Sequence, residues 1–147
     1  MKNILVAVDF SAGTAGVVGA ALSLAQAFRS SVRLVHIAAG EPDFIGYEPG
    51  PQVVRDIVAH RLKEEHRQLE ELEKIFRSEG LTVAALLIGG IPVDKIVKEA
   101  AEFHADLVIL GSHGHGPLHD LMVGSVTAGV LRKARCPVLV VPCPKPA

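Results

Sequence analysis

The sequence has no excess of either charge: fifteen Lys and Arg residues stand against sixteen Asp and Glu, giving a formal net charge of −1. Proteins that bind nucleic acid generally carry a basic patch and a surplus of Lys and Arg. The sequence also has no long polar tract, since 49% of its residues are hydrophobic and 21% are charged. These absences argue against a nucleic-acid partner and against a disordered chain.

Long hydrophobic runs are also missing. The apolar run near the N-terminus, Ile4 to Val8, has five residues before Asp9 interrupts it. A secretory signal needs an apolar stretch of at least about seven residues, and a membrane-spanning helix needs about twenty. We therefore expect a cytoplasmic protein. The 147 residues fit one domain, 1–147, long enough to bury about two-thirds of the surface of the unfolded chain.

Cysteine is scarce, and the two cysteines present are poorly spaced for a disulfide. Cys136 and Cys143 lie seven residues apart in a segment with the pattern of an extended strand, which would separate them by about 23 Å. A disulfide requires Cα atoms within about 7 Å, and an odd spacing along a strand directs the two side chains to opposite faces. We expect two free thiols with structural roles, in keeping with a reducing compartment.

Short apolar runs alternate with amphipathic stretches along the whole chain. Runs rich in branched apolar residues predict strands, at 4–8, 32–38, 81–88, 106–110 and 138–141. Apolar residues at helical spacing predict helices, at 17–28, 53–79, 92–103 and 126–133. Strict alternation implies a parallel sheet covered by helices on both faces. We expect an α/β fold of three layers, α/β/α, with a five-stranded parallel sheet in the flavodoxin-like order 3-2-1-4-5.

Two features lie outside this regular pattern. Residues 39–52 contain several glycines and prolines and predict a long irregular loop, whose role the sequence does not indicate. The helix at 53–79 is rich in charged residues, which we interpret as a solvated face: Lys63, Glu64, Glu65, Arg67, Glu70 and Glu71. His36, within the second strand, is interpreted as a hydrogen-bonded strand residue rather than a ligand.

Polar residues and glycines follow the first and fourth strands. In an open parallel sheet, ligands bind beyond the carboxyl ends of the strands, at the point where the strand order reverses. With the expected order, that crevice opens between Asp9 to Ser11 and Gly111 to Gly114. Asp9 could hold a ribose hydroxyl, a base amine or a metal, or it could cap a helix, and the sequence leaves these alternatives open.

The glycine-rich stretch after the fourth strand is the most distinctive motif. Gly111-Ser112-His113-Gly114 is followed by nine residues and then Gly124-Ser125, at the start of the last predicted helix. Glycine allows close approach of a ligand, and a helix N-terminus attracts anions. The stretch 111–125 therefore predicts a phosphate site.

Other glycine motifs do not match this stretch. It lacks the Lys of a P-loop, the third glycine of a dinucleotide fingerprint and the first glycine of a nucleophile elbow. Ser112 is consequently a poor candidate for a catalytic nucleophile, and no general base or carboxylate pair is evident. We assign no catalytic residue.

No Lys or Arg occurs between Gly111 and Val130. Phosphate charge would therefore be met by backbone N–H groups, the Ser125 hydroxyl, the helix dipole and Mg²⁺. Three loop histidines could assist when protonated: His113, His115 and His119. An unperturbed histidine titrates at about pH 6.5. Their spacing is a weak pattern for a metal site, and we expect no protein-held metal.

Together these residues resemble the universal stress protein family. The resemblance rests on the glycine loop with the following Val126-Thr127, on the segments 4–11 and 136–141, and on Gly90-Ile91-Pro92 before the third helix. It covers the whole chain and implies an adenine-nucleotide-binding domain of the adenine nucleotide alpha hydrolase-like fold, usually a homodimer, in the branch that binds ATP. His115 stands where relatives often have arginine.

The resemblance and the crevice together give the candidate nucleotide-binding residues. Those near the adenosine would be Asp9, Ser11, Ile37 and Ala38. Those at the glycine loop would be Gly111, Ser112, His113, Gly114, Gly124, Ser125 and Val126.

The expected function is a cytoplasmic, ATP-binding, nucleotide-responsive regulatory or stress-resistance protein. Three alternatives remain open: a slow Mg²⁺-dependent ATPase, a true ATP-dependent enzyme that uses Asp9 to hold Mg²⁺, and a nucleotide-free dimerisation module. A homodimer is expected through the last strand, Val138–Val141, because this apolar edge carries no charged residue and needs a cover or a partner.

Overall fold

The computed structural model describes residues 1–38, 52–113 and 123–144. Five strands alternate with four helices in these residues. In chain order they are β1 (Asn3–Ala7), α1 (Thr14–Phe28), β2 (Ser31–Ala38), α2 (Gln52–Ser78), β3 (Val83–Gly89), α3 (Pro92–Glu102), β4 (Leu107–Gly111), α4 (Ser125–Lys133) and β5 (Val138–Val141).

The strands form one parallel sheet in the order β3-β2-β1-β4-β5. Val6 in the central strand pairs with Leu34 on one side and Ile109 on the other. The chain builds outward from β1 to β3 and then crosses to β4, so the strand order reverses between β1 and β4. The predicted three-layer α/β/α fold and its strand order are confirmed.

Each face of the sheet has its own hydrophobic core. Ile4 and Val6 pack on the face covered by α1 and α2, with Leu69 and Phe76 from α2. Leu5 packs on the opposite face, with Ile96 from α3 and Val130 from α4. Successive residues of a strand point to opposite faces, which is why the strands read as continuous apolar runs.

The long helix α2 extends beyond the sheet. Leu69 and Phe76, in its second half, are its buried residues, whereas Ile57 in its first half is 63% exposed. The helix ends in a Schellman motif, in which Gly80 at φ +74° bonds to the carbonyl of Arg77 and Leu81 bonds to that of Phe76. The overhang agrees with the length expected from the sequence.

Element boundaries differ from the sequence prediction by up to three residues. α1 begins at Thr14 instead of 17, because Thr14 N–H bonds to Ser11 O and Val17 N–H bonds to Gly13 O, so the turn continues directly into the helix. β3 begins at Val83 instead of 81, because Leu81 N–H is used to close α2.

The predicted loop at 39–52 falls outside the described residues, apart from Gln52, which begins α2. Across the three described ranges, no helix combines the length and apolar character required to cross a membrane.

The sequence suggested that the charged residues of α2 form a solvated face. One of them, Glu65, does not belong to that face. The Glu65 side chain is 19% exposed and faces His36 of β2. The charge pattern along a helix does not reveal this, because the residue lies where α2 crosses the end of β2. His36 itself is a hydrogen-bonded strand residue, as predicted: its Nδ1 lies 2.8 Å from Val8 O.

Candidate functional site

The turn that follows β1 is organised by Asp9. Its carboxylate accepts a hydrogen bond from Ser11 N–H at 3.0 Å, and Ser11 Oγ accepts one from Gly13 N–H at 3.3 Å. These bonds lead into α1, whose N-cap is Gly13. Asp9 therefore stabilises the turn before α1 and does not cap the helix itself, since among the described residues no side chain bonds to the N-terminal amides of α1 at its N-cap Gly13.

The two ends of the glycine loop meet at the carboxyl end of β4. Gly124 N–H donates to Ser112 O at 2.8 Å, and the buried Thr127 hydroxyl donates to Gly111 O at 2.7 Å. The first bond fixes the residue before α4, and the second fixes the first turn of that helix. The loop is thus held closed at its base, directly beside the β1 turn, because β4 pairs with β1.

The N-terminus of α4 carries positive partial charge at this end of the sheet. Gly124 is the N-cap, and the first N–H groups of any α-helix, here those of Ser125 and Val126, have no partner within the helix. Arg132 and Lys133 in the last turn complement the opposite end of the dipole. Such an N-terminus favours a phosphate or carboxylate.

A short segment after β5 crosses the same crevice. Cys143 N–H donates to Ser112 Oγ at 3.0 Å, and Cys143 Sγ donates to His113 O at 3.1 Å. A Cβ added at Gly13 would lie 2.7 Å from that sulfur, so any larger residue at the start of α1 would require the Cys143 side chain to move. The segment therefore joins the end of β4 to the start of α1.

The end of β2 offers backbone rather than side chains. Ile37 and Ala38 are 8% and 3% exposed, and the Ile37 side chain belongs to the core beneath α3 and α4. If adenosine contacts these residues, it contacts their main chain.

Some of the other predicted site residues lie within the described part of the chain, and others lie outside it. Ser112 and His113 lie together at the end of β4, with Ser112 Oγ 3.0 Å from His113 Nδ1. Gly114, His115 and His119 fall outside the described residues. Within the described ranges, no group of three His, Cys, Asp or Glu side chains could hold a metal ion.

Three residues of this region escaped sequence reasoning: Gly13, Thr127 and Cys143. Thr127 had a local signal, since a threonine in the first turn of a helix after Gly-Ser can bond to a preceding carbonyl. Gly13 and Cys143 had none, because their contact joins segments far apart in the chain.

Both cysteines are free thiols, as predicted. Cys136, at the amino end of β5, packs into the core under α4, and burial raises the pKa of its thiol, with a further contribution from the charge of Asp106.

The fold and this crevice define an α/β protein with a glycine loop and a helix N-terminus at the switch point of a parallel sheet. The family model of the universal stress protein family matches residues 1–142. The chain therefore belongs to the universal stress protein family, as its motifs indicated.

Curated relatives match over nearly the full length. A universal stress protein of Thermus aquaticus is 34% identical over 146 residues, covering 95% of this chain and 98% of the relative. The protein MJ0531 of Methanocaldococcus jannaschii is 29% identical over 145 residues, covering 98% of this chain and 84% of the relative.

Solved structures share the fold. The structure of MJ0577 superposes with a TM-score of 0.78 at 30% identity, covering 99% of this chain and 98% of that one. An Archaeoglobus fulgidus universal stress protein in complex with dAMP gives a TM-score of 0.65 at 25% identity, covering 96% and 98%. A universal stress protein in complex with cAMP gives a TM-score of 0.69 at 22% identity, covering 97% and 98%, a likeness of fold alone.

Proposed function

We propose that this protein binds ATP, or another adenine nucleotide, in the crevice between the β1 turn and the glycine loop. The observation that carries the proposal is the closed base of the loop, where Gly124 and Thr127 are bonded to the end of β4. This closure holds the N-terminus of α4 at the switch point of the sheet. The relative solved with dAMP supports an adenine nucleotide as the ligand.

The candidate residues divide between the two ends of such a ligand. We propose that the phosphates contact the backbone of Gly111, Ser112, His113, Gly114, Gly124 and Val126 and the hydroxyl of Ser125. We propose that the adenosine contacts Asp9, Ser11 and the main chain of Ile37 and Ala38. Since residues 111–130 contain no lysine or arginine, Mg²⁺ would offset much of the phosphate charge.

Mg²⁺ fits this site as a companion of the nucleotide rather than as a protein-held metal. The ion keeps several waters and commonly binds substrate phosphates with one or two carboxylates. The described part of the chain offers no group of three ligands that would hold it alone. Nucleotide and metal would therefore bind together.

We propose a regulatory or stress-resistance role rather than rapid catalysis. Asp9 and Ser11 each accept a hydrogen bond from a backbone N–H group of their own turn, an arrangement that orders the turn. A turnover of Mg-ATP faster than about 1 per second, within the ordinary enzyme range, would contradict this role and favour a true ATP-dependent enzyme.

The test of binding is mass spectrometry of the nucleotide released from the purified protein, compared with Gly124→Val. Gly124 has φ −58° and ψ 158°, a conformation that valine adopts, so the backbone there should tolerate the added side chain. We expect wild type to release an adenine nucleotide and the variant to release much less. Gly19→Ala, in the middle of α1 with no atom within 4 Å of the added Cβ, is the matched control. Equal release from Gly124→Val and wild type would refute the site.

We also propose a homodimer that pairs through β5. This strand is an edge of the sheet, and large apolar residues of its neighbourhood are exposed: Leu139 at 36%, Val123 at 45% and Leu131 at 47%. Val140→Lys would place a charge in the edge and should give a monomer by light scattering. Ala84→Lys, at an exposed position of the opposite edge strand β3, should leave the mass of the dimer unchanged.

We propose a cytoplasmic location and one domain spanning 1–147. The location is supported by the two free thiols, which suit a reducing compartment. The single domain is supported by the inclusion of all five strands in one sheet.

A further inference from the structure

A buried histidine lies beneath the proposed nucleotide site. His36 is 7% exposed and sits in β2, on the face covered by α2. Its Nδ1 is 2.8 Å from the carbonyl oxygen of Val8. Because a carbonyl can only accept, Nδ1 carries a hydrogen and donates it to Val8.

The other ring nitrogen of His36 faces a carboxylate. Nε2 lies 3.4 Å from Oε2 of Glu65, and neither of these buried atoms has another hydrogen-bond partner among the described residues. With Nδ1 protonated, the neutral ring has only a lone pair at Nε2. A lone pair and a carboxylate repel each other, so this contact is favourable only when a proton lies between them.

The surrounding charges favour the ion pair of the two groups. Arg61 also faces the pair, with its Nε 3.9 Å from Glu65 Oε1. A neighbouring guanidinium favours ionised Glu65. When the pair holds a proton, that proton is placed on Nε2 of His36, and both ring N–H groups then have an acceptor.

His36 also contacts the turn that holds Asp9. Its ring centroid is 4.4 Å from that of Phe10, which has a positive φ of 59°. The bond to Val8 and the contact with Phe10 bracket Asp9 in the chain. A residue held at positive φ without being glycine needs such support from its surroundings.

We propose that His36 is a positioning residue for the adenosine end of the site, and that the proton it shares with Glu65 couples nucleotide affinity to pH. The protonated pair ties α2 to β2 and holds the Val8–Phe10 turn in place. Loss of the proton sets Nε2 against the carboxylate and loosens the turn. This inference rests on the proposed nucleotide binding for its ligand, and on the geometry of His36 for its mechanism.

The coupling has a defined sign and a reciprocal consequence. Mg-ATP should bind about fivefold more tightly at pH 6 than at pH 8, a factor at the lower end of common coupling between sites. By linkage, Mg-ATP binding should take up protons between these values. Calorimetric titration with Mg-ATP in two buffers of different ionisation enthalpy measures both.

Glu65→Gln is the decisive variant. The Gln amide can donate to the neutral Nε2 or accept from the protonated one, so the tie no longer needs a proton. We expect the variant to keep the affinity of the wild type at pH 6 and to retain that affinity at pH 8. Glu70→Gln is the matched control, because Glu70 pairs with His66 at 3.1 Å on the same helix but in solvent. An unchanged pH dependence in Glu65→Gln would overturn the proposal and leave the loop histidines as its source.

Substitutions of His36 separate positioning from general stability. His36→Asn keeps an amide donor near Nδ1 for the Val8 carbonyl but does not titrate, so affinity for Mg-ATP should persist with no pH dependence. His36→Leu removes the donor and should weaken binding at both pH values. Equal affinities of these two variants would argue against a positioning role.

A measurement without nucleotide keeps this inference distinct from the proposed function. Nitrogen NMR of the His36 ring should find Nδ1 protonated at both pH values and Nε2 gaining its proton toward pH 6, with the backbone amides of Asp9 and Phe10 shifting in step. Amides that do not follow the ring overturn the positioning role, whatever Mg-ATP does. If the amides follow the ring but Mg-ATP fails to bind at either pH, the proposed function is refuted and the proton-linked turn remains.

Discussion

The contact between α3 and α4 gives a prediction in which two opposing effects can be weighed. Gly129 lies inside α4, and an added Cβ would sit 2.7 Å from Cγ2 and 3.0 Å from Cγ1 of Val93 in α3. Alanine is favoured over glycine in a helix by about 1 kcal/mol, whereas overpacking a well-packed core costs about 1–3 kcal/mol. Because valine is stiff at χ1, the clash should win, and Gly129→Ala should lower the free energy of unfolding by up to about 2 kcal/mol, the overpacking cost less the gain in helix propensity.

The same substitution in open space should have the opposite sign. Gly19 lies in the middle of α1 with no atom within 4 Å of an added Cβ, so Gly19→Ala should stabilise by about 0.5–1 kcal/mol. Urea unfolding at one protein concentration measures both, since the stability of an oligomer depends on concentration. The double variant Gly129→Ala with Val93→Ala should recover part of the loss, as expected of contacting residues. Equal stabilisation by the two alanines would refute the close packing of α3 on α4.

Three further substitutions test the contacts around the crevice. Thr127→Val leaves the carbonyl of Gly111 without its buried donor and should cost about 1–2 kcal/mol of stability in urea unfolding. Calorimetry should also find weaker binding of Mg-ATP. Thr127→Ser should restore both the stability and the binding. Gly13→Ala should lower the melting temperature by its clash with the sulfur of Cys143, and Cys143→Ala should rescue it; a loss that persists in the double variant would contradict the clash. The pKa of Asp106 is lowered by hydrogen bonds from the first backbone amides of the chain, so its stabilisation is present above the unfolded-state pKa and is lost as the pH falls through the lower folded-state pKa. Asp106→Asn should therefore melt at a lower temperature at neutral pH and lose less on acidification, and an unchanged acid slope would refute this.

The fold was predictable because its signals are local. Apolar runs such as Ile4 to Val8 alternate with helical stretches, and this order leaves few topologies for a parallel sheet. The helix ends could also be predicted, since Gly80 and Pro92 act within a few residues of the turns they define. The glycine loop was visible for the same reason, because its spacing belongs to one continuous stretch.

The contacts that shape the crevice were not predictable, because they join distant segments. Glu65 resembles its charged neighbours in sequence, yet it alone meets His36 of β2, which lies 29 residues earlier in the chain. Cys143 follows the last strand and contacts His113 O. In each case the residue type is common, and its role depends on which distant segment of the chain the fold brings beside it.

The chemistry of the crevice follows from how its polar atoms are already used. Ser112 Oγ and His113 Nδ1 lie 3.0 Å apart, a distance that would suit a nucleophile and its base. Catalysis of that kind also requires a third group to orient the histidine, and His113 Nε2 has no hydrogen-bond partner among the described residues. The Ser112 hydroxyl also accepts from Cys143 N–H and so holds the segment after β5. Within the described part of the crevice, the N–H groups at the start of α4 are therefore the groups best suited to contact a phosphate.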